Sequence, residues 1–271
     1  MVPMHPAPAP GRPTTRRAFL AGGAALAGLV AAGCSSGDGG DGGGAADRSP
    51  GTGPGAGSSP ASSAPAAADG PPTLTAADFD GLGVCRLTPE QTAGPFYTDV
   101  GLVRRDITEG LAGQPLRLGV RVVDRDCRPV PGAVVDVWHT DVDGDYSAFT
   151  DQAGRGDDAG PGTTFLRGTQ VADDQGIVEF ATNYPGWYRG RAVHIHAKVR
   201  VDDETVLTTQ LYFPDDLSDE VQSAGPYAAH GERDTRNADD GIAGDPAAEG
   251  TLLATSATAG VTQGLIVVGL G

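Results

Sequence analysis

The chain has 271 residues, a formal charge of −16 at pH 7 and a single lysine, Lys198. This length bounds the chain at one or two domains. So acidic a chain, with no basic stripe to neutralise phosphates, argues against nucleic acid as a partner and assigns the charge to solubility.

The N-terminus reads as an export signal. Thr15-Arg16-Arg17-Ala18-Phe19-Leu20 matches a twin-arginine motif and precedes an apolar run over residues 21–32. Ala31-Ala32-Gly33-Cys34 reads as a lipobox, whose cleavage leaves Cys34 as a lipidated N-terminus. The run is too short for a transmembrane helix and is interrupted by Gly22, Gly23 and Gly28. Residues 1–34 are therefore expected to be the signal. Losing Arg12, Arg16 and Arg17 takes the formal charge from −16 to about −19. The expected location is the outer face of the cytoplasmic membrane, with lipid on Cys34 as the only membrane attachment, or the extracellular space. Twin-arginine export carries folded proteins, which suits a domain that takes up a metal before leaving.

Residues 35–79 read as a disordered tether of Gly, Ala, Ser, Pro and Asp, without large apolar residues up to Pro72. Residues 80–271 remain as one domain, long enough for a substantial core. With Cys34 assigned to lipid, Cys85 and Cys127 form an even pair, and an exported domain favours a disulfide over two buried thiols.

Strand-like alternation begins at 115–123, where Leu116, Leu118, Val120 and Val122 share a face. A turn at 124–132 leads to a strand at 133–139 that ends Asp136-Val137-Trp138-His139. The loop after it spaces Asp141, Asp143 and Asp145 before Tyr146. A calcium loop would need a glutamate at its twelfth position and flanking helices, and neither is in the sequence. Residues 150–162 form a long Gly/Asp loop. Asp173-Asp174-Gln175-Gly176 turns into a strand at 177–181.

The alternation is strictest at 193–201. Val193, Ile195, Ala197, Val199 and Val201 fall on one side and His194, His196, Lys198 and Arg200 on the other, which predicts a half-buried strand. His194 and His196 then point from one face and can share a metal ion, although such a pair is also compatible with ordinary surface. Tyr188 and Arg191 lie in the loop leading in. Asp202-Asp203-Glu204 turns the strand back into 205–213, which brings Gln210 towards the histidines. Residues 214–250 are polar with short helical turns, and 264–268 is a last strand. With no long 3.6-residue period after the signal, the fold class is all-β: a sandwich of two antiparallel sheets whose long loops carry the metal site.

Several separated motifs agree with one family. Leu87-Thr88-Pro89-Glu90-Gln91-Thr92-Ala93-Gly94-Pro95-Phe96-Tyr97, Val135-Asp136-Val137-Trp138-His139 with Gly144-Asp145-Tyr146-Ser147, Pro185-Gly186-Trp187-Tyr188, Arg191-Ala192-Val193-His194-Ile195-His196 and Thr209-Gln210-Leu211-Tyr212-Phe213 resemble the intradiol ring-cleavage dioxygenases. The likeness covers about residues 83–268 and is strongest to the protocatechuate 3,4-dioxygenase branch, whose subunits are β-sandwiches without an N-terminal helical domain. It implies a non-haem Fe(III) held by Tyr146, Tyr188, His194 and His196. It implies a catechol-type substrate and O2 as partners, a muconate-type product, and an assembly that can be homo-oligomeric. By the same resemblance Tyr188 lets go and takes a substrate proton, Arg191 sets a fixed positive charge beside the reacting ring carbons, and Gln210 lines the pocket next to it. Pro95 and Tyr97 border the pocket.

The ligand chemistry agrees with an iron(III) site. Phenol titrates near pH 10, so a phenolate at neutral pH needs a strong Lewis acid, whereas zinc more usually recruits Cys, His or carboxylate. This sequence departs from the family at Ala192, where a proline often follows the arginine, and at Gly190, often an aromatic. Tyr188 also stands only six residues before His194, a short loop. These departures bear on the pocket wall. Tyr184, Trp138 and Trp187 read as packing aromatics and His139 as structural. Two rival functions are a non-catalytic exported binding module, and a zinc or copper enzyme built on the His pair, which would need a third histidine or a carboxylate.

Overall fold

The computed structural model describes residues 73–82, 86–150 and 160–271. The chain divides into two units, 1–64 and 65–271. The signal, Cys34 and most of the tether lie outside the described residues, as does Cys85.

Eight strands are described: β1 (Pro115–Val123), β2 (Val134–Trp138), β3 (Arg167–Val171), β4 (Ile177–Asn183), β5 (His194–Val201), β6 (Glu204–Tyr212), β7 (Ala254–Thr258) and β8 (Val261–Gly269). They form two four-stranded sheets, ordered β4-β1-β8-β7 and β3-β2-β5-β6. The ladders are antiparallel except β1–β8, where the last strand returns beside the first in parallel. Alternation turns one face of each sheet inward. Leu116, Leu118, Val120, Val122, Phe180 and Ile266 of the first sheet meet Val135, Val137, Ile195, Val199 and Leu211 of the second in one buried core. Each such side chain stabilises the sandwich by about 1.5–3 kcal/mol on burial.

The strands expected at 115–123, 133–139, 177–181, 193–201, 205–213 and 264–268 are present, within a few residues at their ends. Two more, β3 and β7, have no apolar alternation to betray them. β3 reads Arg-Gly-Thr-Gln-Val, and β7 is a largely exposed edge strand of Ala, Thr and Ser. The β5–β6 hairpin turns on Asp202 and Asp203, whose φ values of 51° and 63° give the twist that a two-residue hairpin loop needs. The polar stretch after β6 holds the helices α1 (Asp215–Gln222) and α2 (Pro246–Glu249) among short 3-10 turns.

The first sheet's outer face is covered from the N-terminal side. Leu74 and Phe79, assigned to the tether on composition, pack with Ile177 and Leu265, and the backbone N–H of Leu74 donates to Glu179 at 3.1 Å. Two apolar residues five apart are too sparse a signal for composition to register. Cys127 is disulfide-bonded. Among the described residues no helix is long and apolar enough to cross a membrane.

Candidate metal centre

The register of the second sheet sets one row of side chains across its outer face. Trp138 pairs with Arg167 on one side and His196 on the other, and His196 pairs with Gln210. One step along, His194 faces Tyr212. His194 and His196 are only 3% and 2% exposed, so this end of β5 is buried on both faces and the half-buried expectation holds only for its far end. Aromatic rings from the end of β2 and from loops provide the cover, which the strand's own pattern cannot reveal. Trp138 stacks on His196 with centroids 4.8 Å apart and 6° between planes, Tyr97 leans on Trp138, and Phe96 stacks on Tyr146 at 4.8 Å.

The two tyrosine-bearing loops lock together backbone to backbone. Gly144, two residues before Tyr146, has φ +84°, and a Cβ there would sit 2.3 Å from the carbonyl oxygen of Trp187. Gly186, two residues before Tyr188, would place a Cβ 2.2 Å from the carbonyl oxygen of Asp141. Only glycine permits this approach. The backbone N–H of Gly186 donates to Asp141 O at 2.9 Å, and the Thr140 hydroxyl donates to Gly186 O at 2.7 Å. The aspartates of this loop have a local purpose: Asp141 Oδ1 accepts from the backbone N–H groups of Asp143 and Asp145, shaping the turn that delivers Tyr146.

Four donor atoms converge. His194 Nε2 lies 3.1 Å from His196 Nε2, 3.2 Å from Tyr146 Oη and 3.5 Å from Tyr188 Oη. Tyr146 Oη lies 3.0 Å from His196 Nε2. The Nδ1–H of His194 donates to the carbonyl of Ala192 at 2.7 Å, which leaves the Nε2 lone pair facing the other donors. Burial, and then the charge of Arg191, push His194 down to about 3. Burial and His194 hold His196 well below the usual histidine range. Both rings are therefore neutral ligands at neutral pH. Burial raises Tyr146 well above the ordinary phenol value, with Tyr188 adding to the effect, so a phenolate there requires a cation where the donors meet. Separations near 3 Å are those of neighbouring ligands on one ion with bonds of about 2.1 Å. Two phenol oxygens and two imidazoles form a hard, anionic set that fits a trivalent iron.

Arg191 sits beside this cluster. Its Nη1 donates to Tyr188 Oη at 3.3 Å, its Nη2 bonds Gln210 Oε1, and its Nε donates to Asp240 Oδ2 at 2.9 Å. Gln210 is fully buried and stands behind Arg191, with its amide nitrogen donating to Thr92 O at 2.9 Å. Tyr146, Tyr188, His194, His196, Arg191 and Gln210 are thus brought together. Tyr97 lies one ring further out against Trp138, and Pro95 is exposed.

Tyr184 packs on Phe213 and donates or accepts at Ser218, away from the donors. His139 is buried between Thr140 O and Thr182 Oγ1, and Trp187 packs on His230. Sequence reading missed Asp240, Tyr212 and Arg167. Arg167 is a buried guanidinium whose Nε and Nη2 donate to Ser147, 6.0 Å from the Tyr146 ring centre. An arginine directly after the apolar pair Phe165-Leu166 was the available signal. Asp240 lies in a polar stretch where nothing distinguishes it from its neighbours.

A family model described as Dioxygenase matches residues 92–238. Among curated proteins, the chain is 29% identical over 174 residues to chlorocatechol 1,2-dioxygenase of Rhodococcus opacus, covering 52% of this chain and 62% of that protein. It is 29% identical over 159 residues to catechol 1,2-dioxygenase of Acinetobacter baylyi, covering 50% and 49%. The chain spans about half the length of the curated relatives it matches. Among solved structures, an intradiol ring-cleavage dioxygenase from Tetranychus urticae superposes with a TM-score of 0.63 at 30% identity, over 69% of this chain and 95% of that one. The dioxygenase domain of a carbohydrate-binding fusion protein from Streptomyces sp. SirexAA-E gives 0.51 at 28%, over 68% and 97%.

Proposed function

The chain belongs to the intradiol ring-cleavage dioxygenase family, and from that premise we propose that it cleaves a catechol-type ring between its two hydroxyl-bearing carbons with O2, giving a muconate-type dicarboxylic acid. The observation that carries this reading is the convergence of Tyr146, Tyr188, His194 and His196 at 3.0–3.5 Å. These four residues would hold a non-haem Fe(III), which when bound draws electron density from a catecholate and makes the ring reactive towards oxygen.

The protein's own groups divide the remaining work. Tyr146 is buried under Phe96, which suits a permanent ligand. Tyr188 is only partly buried and sits on a loop, so its Oη is the atom placed to accept a substrate hydroxyl proton. Arg191 holds a fixed positive charge beside Tyr188, where negative charge develops on the ring. Trp138 and Phe96 keep water from the histidines and Tyr146. The zinc or copper reading lacks its third ligand: no group of three His, Cys, Asp or Glu stands together among the described residues. A simple binding module has no need of four converging donors, three of them buried.

The resemblance of the Pro185–Tyr188 and Arg191–His196 motifs supports the protocatechuate 3,4-dioxygenase branch. The curated relatives are named for catechol and chlorocatechol, so the substrate panel must hold all three ring types. Purified protein should contain about one iron per chain, as one four-ligand site requires. It should be red-brown from phenolate-to-iron charge transfer and should yield a muconate. Tyr146→Phe should lose the band and most of the iron. Stoichiometric zinc with no band, or a yellow semialdehyde product, defeats the proposal. Export and lipidation at Cys34 form a second part of it, carried by the twin-arginine and lipobox motifs. Cys34→Ala should move the protein from membrane to soluble fraction, and an unchanged distribution counts against the anchor.

A further inference from the structure

Arg191 is useful only if its guanidinium stays turned towards Tyr188, and a flexible side chain does not hold one direction without help. Three of its contacts are to phenol or amide oxygens: Tyr188 Oη, Gln210 Oε1 and, at 3.5 Å, Tyr212 Oη. The fourth is charged. Asp240 is a fully buried carboxylate that takes the Nε edge of Arg191 at 2.9 Å, a short, charge-assisted contact.

Asp240 is itself immobilised from both sides. Its Oδ2 also accepts the backbone N–H of Ala192 at 2.7 Å, and its Oδ1 accepts those of Ile242 at 2.8 Å and Ala243 at 3.1 Å. Four donors set the plane of the carboxylate. The same oxygen that grips the Arg191 side chain also grips the next residue's backbone, so side chain and main chain are fixed relative to each other. With Nε held by Asp240 and Nη2 by Gln210, Nη1 has one direction left, towards Tyr188 and the donor cluster. Asp240 lies just beyond residues 92–238, the segment shared with the family.

We propose that Asp240 is the positioning residue for Arg191, holding the guanidinium by its Nε edge so that Nη1 faces the reacting ring. The proposal rests on the ring-cleavage reading for its kinetic consequence, but not for its geometry. The competing role is that of a staple, which ties the 237–243 segment to the start of β5 and has nothing to do with Arg191. A staple's loss affects turnover whether or not Arg191 is present; a positioning residue's loss matters only while Arg191 is there to be positioned.

A double-mutant cycle on the full-length, iron-loaded protein separates the two. Asp240→Ala should keep the iron and the visible band and lower kcat about 10²-fold, the scale on which misplacing a catalytic group is felt. KM for catechol should move by less than about threefold, because uniform binding is untouched. In the Arg191→Ala background the same change should alter kcat by less than about twofold, since the two residues act as one unit. An equal loss in both backgrounds overturns the proposal. A second readout needs neither iron nor turnover: in iron-free protein labelled with 15N-arginine, the Arg191 Nε–H signal, identified by its absence in Arg191→Ala, should be protected from exchange. Asp240→Ala, which removes the acceptor of Nε–H, should abolish that protection. An unprotected Nε–H in the unmodified protein defeats the idea even if the variants fail to fold. If no catechol is cleaved, the ring-cleavage reading falls, while this signal still decides the positioning.

Discussion

The outer faces of the two sheets are built on the same alternation and reach opposite chemical ends. On the first, Glu179, Gly119 and Leu265 make a row across β4, β1 and β8. Leu74 and Phe79 fill the space over Gly119, where a Cβ would come within 2.4 Å of Leu74 Cδ1. Glu179 is met by Arg117 at 2.6 Å and by Arg105. On the second, the row is Arg167, Trp138, His196 and Gln210. Here Trp138 Nε1, Arg167 Nη1 and His196 Nδ1 are buried without a hydrogen-bond partner. Each such atom costs about 1–3 kcal/mol. The first face settles its polar groups among themselves, which is what a structural surface does. The second leaves buried N–H groups unpaired and sets His194 Nε2 3.1 Å from His196 Nε2, an arrangement that makes sense only with a ligand between the two imidazoles.

If the second face is catalytic, the largest single effect short of removing a ligand should come from Arg191. Arg191→Ala should retain iron and colour and lose about 10²–10³-fold in turnover, the usual loss for one charge-stabilising group. Arg191→Lys should recover only part of this, because an ammonium cannot bridge Asp240, Gln210 and Tyr188 with one planar fork. Normal turnover in Arg191→Ala would make the two faces equivalent and remove the comparison.

His139 belongs to neither outer face and tests the seam between the sheets. Its Nδ1–H donates to Thr140 O at 2.8 Å, and its Nε2 accepts from Thr182 Oγ1 of β4 at 2.7 Å. Burial, only partly opposed by the Thr140 hydrogen bond, lowers it to about 4 from the ordinary 6.5. The unfolded chain then binds a proton that the folded chain refuses between those values. The stability is complete above about pH 6.5 and is lost as pH falls towards 4, by about 3 kcal/mol in all. Urea melts across this range should show the slope, and His139→Gln should flatten it. An unchanged slope in the variant would assign the acid sensitivity elsewhere.

The legible part of this molecule was whatever a strand writes into its own sequence. The inward faces of β1 and β5, and the paired His194 and His196, follow from period-2 alternation, and the tyrosine loops followed from motif resemblance. What covers a strand is written somewhere else in the chain. The burial of His196 depends on Trp138 and Tyr146, distant in sequence, and the grip on Arg191 depends on Asp240, one of many aspartates in a polar stretch. Leu74 and Phe79 show the same limit on the first face, since two apolar residues in a Gly/Ala-rich segment carry no period.

Gly144 sharpens the comparison by acting on geometry without touching a ligand. Gly144→Ala forces a Cβ against Trp187 O at a positive φ, which should cost about 1–3 kcal/mol of stability. Because the clash pushes the Tyr146 loop off the Tyr188 loop, the charge-transfer band should also shift or weaken. A loss of stability with an unaltered band would mean that the two tyrosines are set independently of this contact.

The smallest effect should come from the first face. Glu179 is buried, which raises a carboxyl, but the hydrogen bonds from Arg117 and Arg105 overcome this and hold it below the usual range. Its contribution is therefore present above the ordinary glutamate value and fades as pH falls through the lower, folded one. Glu179→Gln keeps the shape and one acceptor for Arg117 while removing the charge. Arg105 is 42% exposed and its half of the interaction is screened by water, so the loss should be about 1 kcal/mol. The informative quantity is what does not change. Iron content, the visible band and kcat should all match the unmodified protein, because the core lies between Glu179 and the histidines, and alternation sends their side chains to opposite outer faces. A fall in kcat that exceeds the fall in folded fraction would show that the two faces are coupled through the core, and the division between a structural and a catalytic sheet would have to be given up.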